Sequence, residues 1–198
     1  MANYDFMIAL NHFKGHPMGG YGGALKNLSI GCASQNGKAY IHSAGKMEKL
    51  DMGKLWTPEF IGNQDGFLES MAAAAQAVVN YFNKKQGIIY ISVMNNMSID
   101  CDCVDHPEPV KLEDYGILAS TDPVALDQAC IDIVFAMKEE EHNALVERIV
   151  SRHGLRQLSY MKELGMGNDR YILIDLDNGC RRMTVQEAVQ GLKPFVNE

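Results

Sequence analysis

LNHFKGHPMGGYGGALKNLSIGCASQNGKAYIH, residues 10–42, is the stretch from which the organisation of this chain is best understood. It holds three of the six histidines, one cysteine and four glycines within five positions. It follows a short apolar run, Tyr4–Leu10 (YDFMIAL), which predicts a buried strand. Because ligands of open α/β sheets bind at the carboxyl ends of the strands, this mixture of residues predicts a functional site.

Two histidines flank a lysine near the start of this stretch. Pro17 disfavours a helical conformation at the residue before it, and we therefore expect His12, Lys14 and His16 to lie on an irregular loop. Imidazoles suit proton transfer, metal binding and anion binding, and a lysine can neutralise developing negative charge. The alternative is that these histidines are ordinary surface or capping residues.

Four glycines, Gly19, Gly20, Gly22 and Gly23, precede a predicted helix at Ala24–Ile30. Glycines ahead of a helix let the backbone approach a ligand closely, and the free N–H groups of the first helical turn bind anions. The spacing GGxGG is not that of a dinucleotide-binding fingerprint. We expect a loop that cradles a small anion, with a flexible turn as the alternative.

A second concentration of reactive residues follows a β-branched run, Ile88–Val93 (IIYISV), which predicts a central strand. In the next segment, Asn95–Asp105, alternate residues of an extended chain would face the same way, which would bring Cys101 and Cys103 together. Two thiolates with imidazoles from the first stretch could complete a zinc or iron site, although CxC is not the usual CxxC spacing. A metal-free reactive thiol pair is the competing interpretation.

The composition restricts location and partners. A net charge of −7 and a pI near 5.3 argue against nucleic acid or an anionic membrane as the main partner. No apolar run approaches the roughly 18 residues that a membrane helix needs, and the start, MANYDFMIAL, lacks the features of a signal peptide. We therefore expect a cytoplasmic protein, in which the five cysteines are free thiols or metal ligands rather than disulfides.

The rest of the chain alternates between strand and helix patterns. Asp122 suits a helix N-cap and Pro123 the first helical position after it. We expect an α/β fold with a mostly parallel sheet flanked by helices in three layers, formed by residues 1–198 as one domain with a long loop excursion at about residues 43–66. Further strands are predicted at Glu113–Ala119 and Arg170–Leu176, and helices at Phe67–Lys84, Val124–Met137, Glu139–His153, Leu155–Leu164 and Thr184–Leu192.

The chain resembles the domain-of-unknown-function family three-six-two in separate blocks that occur in order: HFKGH, GGYGGALKN, GCAS, CDC, GILASTDPVALDQA and LGMGNDRY. The resemblance covers most of residues 4–175, and members are often described as iron–sulfur or ferredoxin-associated. It implies an α/β domain, usually longer at its N-terminus, and often a ferredoxin-like insert after the segment matching Gly37–His42. Here no cysteine lies between His42 and Phe67. We therefore expect no ferredoxin-type iron–sulfur cluster. The chain would then be a compact member, one half of a split protein or a degenerate copy.

The function that we expect is a pocket that binds a small anion or a metal, with a redox-associated enzyme as one interpretation. The alternative is a non-catalytic metal- or ligand-binding module that pairs with a partner chain supplying an N-terminal part, or a homo-oligomer. An exposed sheet edge at Tyr4–Leu10 would favour the partner, and a covered strand beside a closed pocket would favour the enzyme. Both interpretations place His12, His16, Cys101 and Cys103 near each other. The cofactor stays open, with a transition metal as one candidate.

The residues to which we assign these roles fall into three groups. The candidate catalytic residues are His12, Lys14 and His16. The candidate ligand-binding residues are Gly19, Gly20, Gly22, Gly23, Lys26, Asn27 and Asp122. The candidate metal ligands are His12, His16, His42, Cys101 and Cys103.

Overall fold

Three strands precede the first helix of the chain. The structure, a computed structural model, describes residues 3–54, 57–61, 63–84, 87–137 and 139–192. The described strands are β1 (Met7–His12), β2 (Lys14–His16), β3 (Gly20–Gly22), β4 (Ile88–Met94), β5 (Gly116–Ser120), β6 (Leu173–Asp175) and β7 (Arg181–Met183). The described helices are α1 (Ala24–Lys26), which a π-helical turn at Asn27–Gly31 continues, α2 (Gln35–His42), α3 (Pro58–Ile61), α4 (Gln64–Asn83), α5 (Pro123–Ala136), α6 (Glu139–Ser151), α7 (Arg156–Glu163) and α8 (Val185–Val189).

The largest sheet has the strand order β1–β4–β5 and is mixed. Strand β1 is parallel to β4, with Met7 opposite Ile88, whereas β5 is antiparallel to β4, with Met94 opposite Gly116. Residues 95–115 contain no helix, so the chain returns to the sheet without the crossover that a parallel neighbour requires. The α/β fold is therefore confirmed, but a mostly parallel sheet is not.

The two faces of this sheet differ in their covering. Ala9, Tyr90 and Leu118 are buried on one face, in a core shared with residues of α1, α4 and α5. The other face keeps aliphatic side chains accessible, which are Ile8 (62% exposed), Leu10 (59%), Ile89 (39%) and Ile117 (68%). The described residues thus do not confirm the expected three layers, because this face has no helix packed over it.

Elements with a strong local signal form where the sequence predicts them. Strand β4 is the central strand of its sheet, and Asp122 caps α5 with Pro123 in the first turn. Helix α4 begins at Gln64, earlier than the predicted Phe67, because Asn63 caps it by accepting a hydrogen bond from the N–H of Gly66. None of the described helices combines the length and the apolar character needed to cross a membrane.

One expectation about local structure was wrong, and the structure gives more detail on two others. His12 ends β1, and Lys14–His16 form β2 rather than an irregular loop, because the residue before a proline favours the extended conformation that a strand also needs. The predicted strand Arg170–Leu176 narrows to β6, which pairs with β7 in a separate antiparallel hairpin. The excursion at residues 43–66 includes a short helix, α3, while residues 55, 56 and 62 lie outside the described residues.

Candidate functional site

The two thiols of the CDC motif lie against each other. The Sγ atoms of Cys101 and Cys103 are 2.7 Å apart, and Cys103 donates to Cys101. They meet in a turn, closed by a 2.9 Å hydrogen bond from the N–H of Val104 to the carbonyl of Cys101, and not through the alternation of an extended chain. Cys101 is partly buried and Cys103 is exposed, so the pair is reachable from solvent.

Backbone contacts hold the segment before the motif against strand β2. The N–H of Gly15 donates to the carbonyl of Ser98 at 2.7 Å, and a side chain at Gly15 would come within 2.0 Å of the carbonyl oxygen of Ile99. From helix α6, Arg148 donates to the same carbonyl at 3.1 Å and to the carboxylate of Asp100 at 3.0 Å. Gly15 is therefore required by a close approach of two backbones, and this approach fixes the position of the thiols.

His12, at the end of β1, contacts the residue between the two cysteines. Its Nδ1 lies 3.1 Å from a carboxylate oxygen of Asp102, and its Nε2 lies 2.9 Å from the carbonyl of Asn95. Both partners are acceptors, so both ring nitrogens donate when the imidazole is protonated. A metal bound to His12 would have to replace one of these hydrogen bonds.

Two lysines converge on the same turn from different elements. Lys14, on β2, is buried, and its Nζ lies 3.5 Å from Asp102 and close enough to Cys101 to influence the pKa of that thiol. Lys26, at the end of α1, is partly buried and close enough to interact with the charges of Cys101 and Asp102. Gly22 separates the two stems, because a Cβ there would lie 3.7 Å from Cδ of Lys26 and 3.9 Å from Cε of Lys14. The lysines therefore lie side by side over the hairpin.

These surroundings make the two thiols unequal. Burial alone would raise the pKa of Cys101, but the hydrogen bond from Cys103 and the Lys14 ammonium outweigh it, so its pKa lies below the ordinary value. The pKa of Cys103 is raised, mainly because its proton is engaged with Cys101 and also because of burial. Burial lowers the pKa of Lys26, although the nearby cysteines and Asp102 oppose that change. Cys101 is thus the sulfur that ionises first.

A carboxylate of the chain itself occupies the start of helix α1. Asp127, fully buried on α5, accepts hydrogen bonds from the N–H groups of Ala24 at 2.6 Å and Leu25 at 3.0 Å. Gly23 is needed there because a Cβ would lie 2.4 Å from the same carboxylate. The groups that the sequence analysis assigned to an external anion therefore bind Asp127.

The other glycines of the predicted cradle shape the hairpin. Gly20 has a φ of +79° and lies so close to Gly154 that a side chain would clash with its Cα at 2.8 Å. The carbonyl of Gly19 accepts from the side chain of Gln157 at 2.7 Å. Gly19, Gly20 and Gly22 are all buried. These contacts give the glycines a packing role in the described structure.

Two of the predicted site histidines, His16 and His42, make hydrogen bonds or packing contacts within the fold. His16 is buried, and its Nδ1 accepts from the N–H groups of Met18 and Gly19 at 3.2 and 2.9 Å. Burial, with smaller contributions from nearby lysines, lowers its pKa to about 3, so the ring is neutral. His42 stacks on Phe67 with ring centroids 5.0 Å apart and bonds the carbonyl of Lys38 through Nδ1 at 2.7 Å.

Two further predicted ligand-binding residues are also engaged with the backbone. Asp122 accepts from the N–H groups of Val124 and Ala125 through one oxygen and from that of Asn168 through the other. Asn27 donates to the carbonyl of Leu10 at 3.3 Å, which ties the π-helical turn to β1. Both side chains therefore have structural partners in place of a ligand.

The five predicted metal ligands are not gathered into one cluster. Within the described part of the chain, no group of three or more His, Cys, Asp and Glu side chains is arranged to hold a metal ion. The described structure thus brings two of the five together, Cys101 and Cys103, without the further ligands that a metal ion needs.

Comparison with known proteins bears on the family. The family model described as Domain of unknown function (DUF362) matches residues 1–132, two thirds of the chain. The chain belongs to this family. No curated protein and no solved structure matches it. The matched span includes strands β1 to β5 and the CDC turn, so the two thiols lie within the part of the chain that the DUF362 model matches.

Sequence reasoning missed three residues that position this site. Asp102 contacts both His12 and Lys14. The clue to it in the sequence was its position between two cysteines. Asp127 lies on the mainly apolar helix α5, and an acidic residue among apolar neighbours suggests a buried partner. Gly15 is an isolated glycine before the glycine-rich run, and the segment that packs on it lies 83 positions later, at Ser98.

Proposed function

We propose that the DUF362 chain carries a redox-active dithiol, Cys101 and Cys103, that exchanges with disulfide substrates. The observation that carries this proposal is the contact of the two sulfur atoms, 2.7 Å apart, beside the ammonium group of Lys14. A disulfide bond has an S–S length of about 2.05 Å, so the two sulfurs would move closer together on oxidation. A reduced thiol pair of this kind fits the cytoplasmic location that the sequence predicts.

The reaction is a two-step thiol–disulfide exchange. The Cys101 thiolate attacks one sulfur of a substrate RSSR, forms a mixed disulfide and releases RS⁻. Cys103 then loses its proton and attacks the Cys101 sulfur, which forms the Cys101–Cys103 disulfide and releases the second RS⁻. Overall the dithiol loses two electrons and two protons, and the substrate is reduced to two thiols.

Each residue around the thiols has a role in this scheme. Lys14 stabilises the Cys101 thiolate by its charge. Asp102 holds Lys14 and His12 in place from the middle of the motif. His12, with its ring between Asp102 and the carbonyl of Asn95, is the proton donor or acceptor that we assign to the turn.

The test is the pH dependence of alkylation at Cys101, followed by peptide mass spectrometry. We expect Cys101 to react with iodoacetamide at lower pH than an ordinary thiol, and we expect Lys14→Gln to shift its profile to higher pH. Lys84→Gln, which removes an exposed lysine at the end of α4, changes the net charge equally and serves as the matched control. A Cys101 profile that is the same in both variants would contradict the proposed activation.

A specific observation favours a second candidate function, a ligand-binding module that pairs with another chain. Strand β1 is an edge strand, and the open face of the sheet carries Ile8, Leu10, Ile89 and Ile117, all exposed. Exposed aliphatic faces of this kind mark interaction surfaces. The simplest partner is a second copy, because a mainly aliphatic face is complementary to itself. His12 lies in register on the same face, so pairing would place the partner beside the thiols.

Light scattering on the full chain tests this second candidate. We expect a dimer that Ile8→Asp or Ile117→Asp converts to a monomer. Leu176→Asp, at a comparably exposed aliphatic residue outside strands β1, β4 and β5, should leave the dimer intact. A monomeric wild-type chain at micromolar concentration would contradict self-pairing and leave the dithiol proposal unaffected.

A further inference from the structure

Three cationic side chains, Lys14, Lys26 and Arg148, surround the CDC turn, where the carboxylates are Asp100 and Asp102. Lys14 has Asp102 and the Cys101 sulfur as partners. Among the described hydrogen bonds and ion pairs, none involves the ammonium of Lys26. Its stem lies against Gly22, 3.7 Å from the position of a Cβ there, which directs the side chain along the hairpin beside Lys14. Lys26 therefore interacts with the charges of the turn from a distance, and its ammonium has no direct hydrogen bond or ion pair among the described residues.

The charge around the turn becomes more positive during the reaction that we propose. In the reduced state the Cys101 thiolate and the Asp102 carboxylate face the two ammonium groups. When Cys101 enters a mixed disulfide, its negative charge is lost. Asp100 also interacts with Lys14 but is paired with Arg148, so Asp102 is the carboxylate that remains against the lysines. Because both lysines are at least partly buried, solvent screens this excess positive charge less than it would at the surface. A negative group on the substrate would restore the balance.

We propose that the dithiol acts on disulfides that carry carboxylate groups, and that Lys26 binds one such carboxylate beside the sulfurs. This inference rests on the dithiol function proposed above and adds the class of substrate. The substrate's carboxylate is bound beside Cys101, whose negative charge is lost in the reaction. It therefore stabilises the mixed disulfide as well as the initial complex with the substrate. The selectivity is electrostatic: disulfides with negative charge react faster than neutral ones, and neutral ones faster than positive ones.

The experiment measures the rate at which three probes oxidise the reduced full-length chain. The probes are glutathione disulfide (negative), bis(2-hydroxyethyl) disulfide (neutral) and cystamine (positive). The readout is formation of the Cys101–Cys103 disulfide, by alkylation of the remaining thiols and peptide mass spectrometry. Rates in Lys26→Gln are divided by wild-type rates for each probe, so that the intrinsic reactivities of the probes cancel. Lys84→Gln is the control with the same change in net charge.

We expect Lys26→Gln to slow the negative probe about tenfold, to speed the positive probe and to change the neutral probe less than twofold. Lys84→Gln should change all three less than twofold. In the wild type, added salt should slow the negative probe and speed the positive one, a result that needs no variant to fold.

Two results would overturn the inference, and they differ in what they leave standing. If the disulfide forms but Lys26→Gln affects all three probes alike, the dithiol function holds and the carboxylate site does not. If no probe produces the Cys101–Cys103 disulfide, both the function and the inference fail.

Discussion

Asp127 and His16 are buried titratable side chains that fix the two ends of the hairpin formed by β2 and β3. Asp127 binds the N–H groups at the start of α1, and His16 binds those of Met18 and Gly19. Burial displaces both pKa values, and the two displacements act on stability in opposite directions. In the wild-type chain two opposite pH dependences of the stability are therefore superimposed, and single variants should separate them.

Asp127 should make the fold less stable as the pH rises toward neutrality. Burial raises its pKa from 3.8 to about 7, although the hydrogen bonds from Leu25, Ala24 and Tyr21 oppose this. Between these values the unfolded chain has lost the proton that the folded chain keeps. The stabilisation is complete below about pH 4 and is lost as the pH rises through about 7, by roughly 1.4 kcal/mol per pH unit.

Urea unfolding of the wild type and Asp127→Asn at pH 5 and pH 7 measures this effect. We expect the wild type to lose about 2 kcal/mol of unfolding free energy relative to the variant over this interval. A difference that stays constant with pH would mean that the carboxylate is already ionised at pH 5.

His16 should have the reverse effect. Burial, the largest cause, lowers its pKa from 6.5 to about 3, so the folded ring stays neutral where the unfolded ring takes up a proton. Its stabilisation is present above about pH 6.5 and is lost as the pH falls toward 3. His16→Asn keeps an acceptor near the position of Nδ1 but cannot titrate. Relative to this variant, the wild type should lose stability between pH 6.5 and pH 4.5, and a difference that rises instead would contradict the assignment.

At the scale of elements, the site depends on how closely β2 approaches the segment before the CDC turn. Gly15 allows that approach, because a Cβ would lie 2.0 Å from a backbone oxygen of Ile99. Gly22, which pairs with Lys14 on the other strand of the hairpin, has room for a Cβ at ordinary contact distances of 3.7 Å or more. The two glycines therefore form a matched pair of positions, one closed to a side chain and one open.

We expect Gly15→Ala to lower the unfolding free energy by about 2 kcal/mol and Gly22→Ala by less than 1 kcal/mol. The backbone of Ile99 must move to admit the methyl group, so Gly15→Ala should also make Cys101 and Cys103 more equal in their alkylation rates. Chemical denaturation and competitive alkylation measure the two effects. Equal stability losses at the two positions would show that the close approach is unimportant.

Over the whole molecule, sequence reasoning succeeded where the signal was local. The β-branched run of β4 and the sequence Asp122-Pro123 at the start of α5 are short patterns whose physical cause lies within a few residues. The sequence did not predict the antiparallel direction of β5, because that direction depends on how residues 95–115 return to the sheet. The alternation of apolar and polar residues in a short strand does not indicate its direction.

The site shows the same division between local and distant causes. The two stretches that the sequence marked as reactive do meet, because β1 and β4 are adjacent parallel strands that end at the same edge and bring His12 to Asp102. The glycine-rich stretch was given an external anion because its true partner, Asp127, lies 103 positions after Ala24. The open face of the sheet could not be predicted, because a buried and an exposed aliphatic strand have similar sequences.

The central claim is that Cys101 and Cys103 form one redox couple, and equilibrium oxidation tests it most directly. The chain is equilibrated in glutathione buffers of graded ratio, quenched by alkylation and mapped by peptide mass spectrometry. We predict that both cysteines become protected together, with the two-electron dependence of an intramolecular disulfide, while Cys180 stays available or forms only mixed disulfides. Independent protection of Cys101 and Cys103, each as a separate glutathione adduct, would contradict the account.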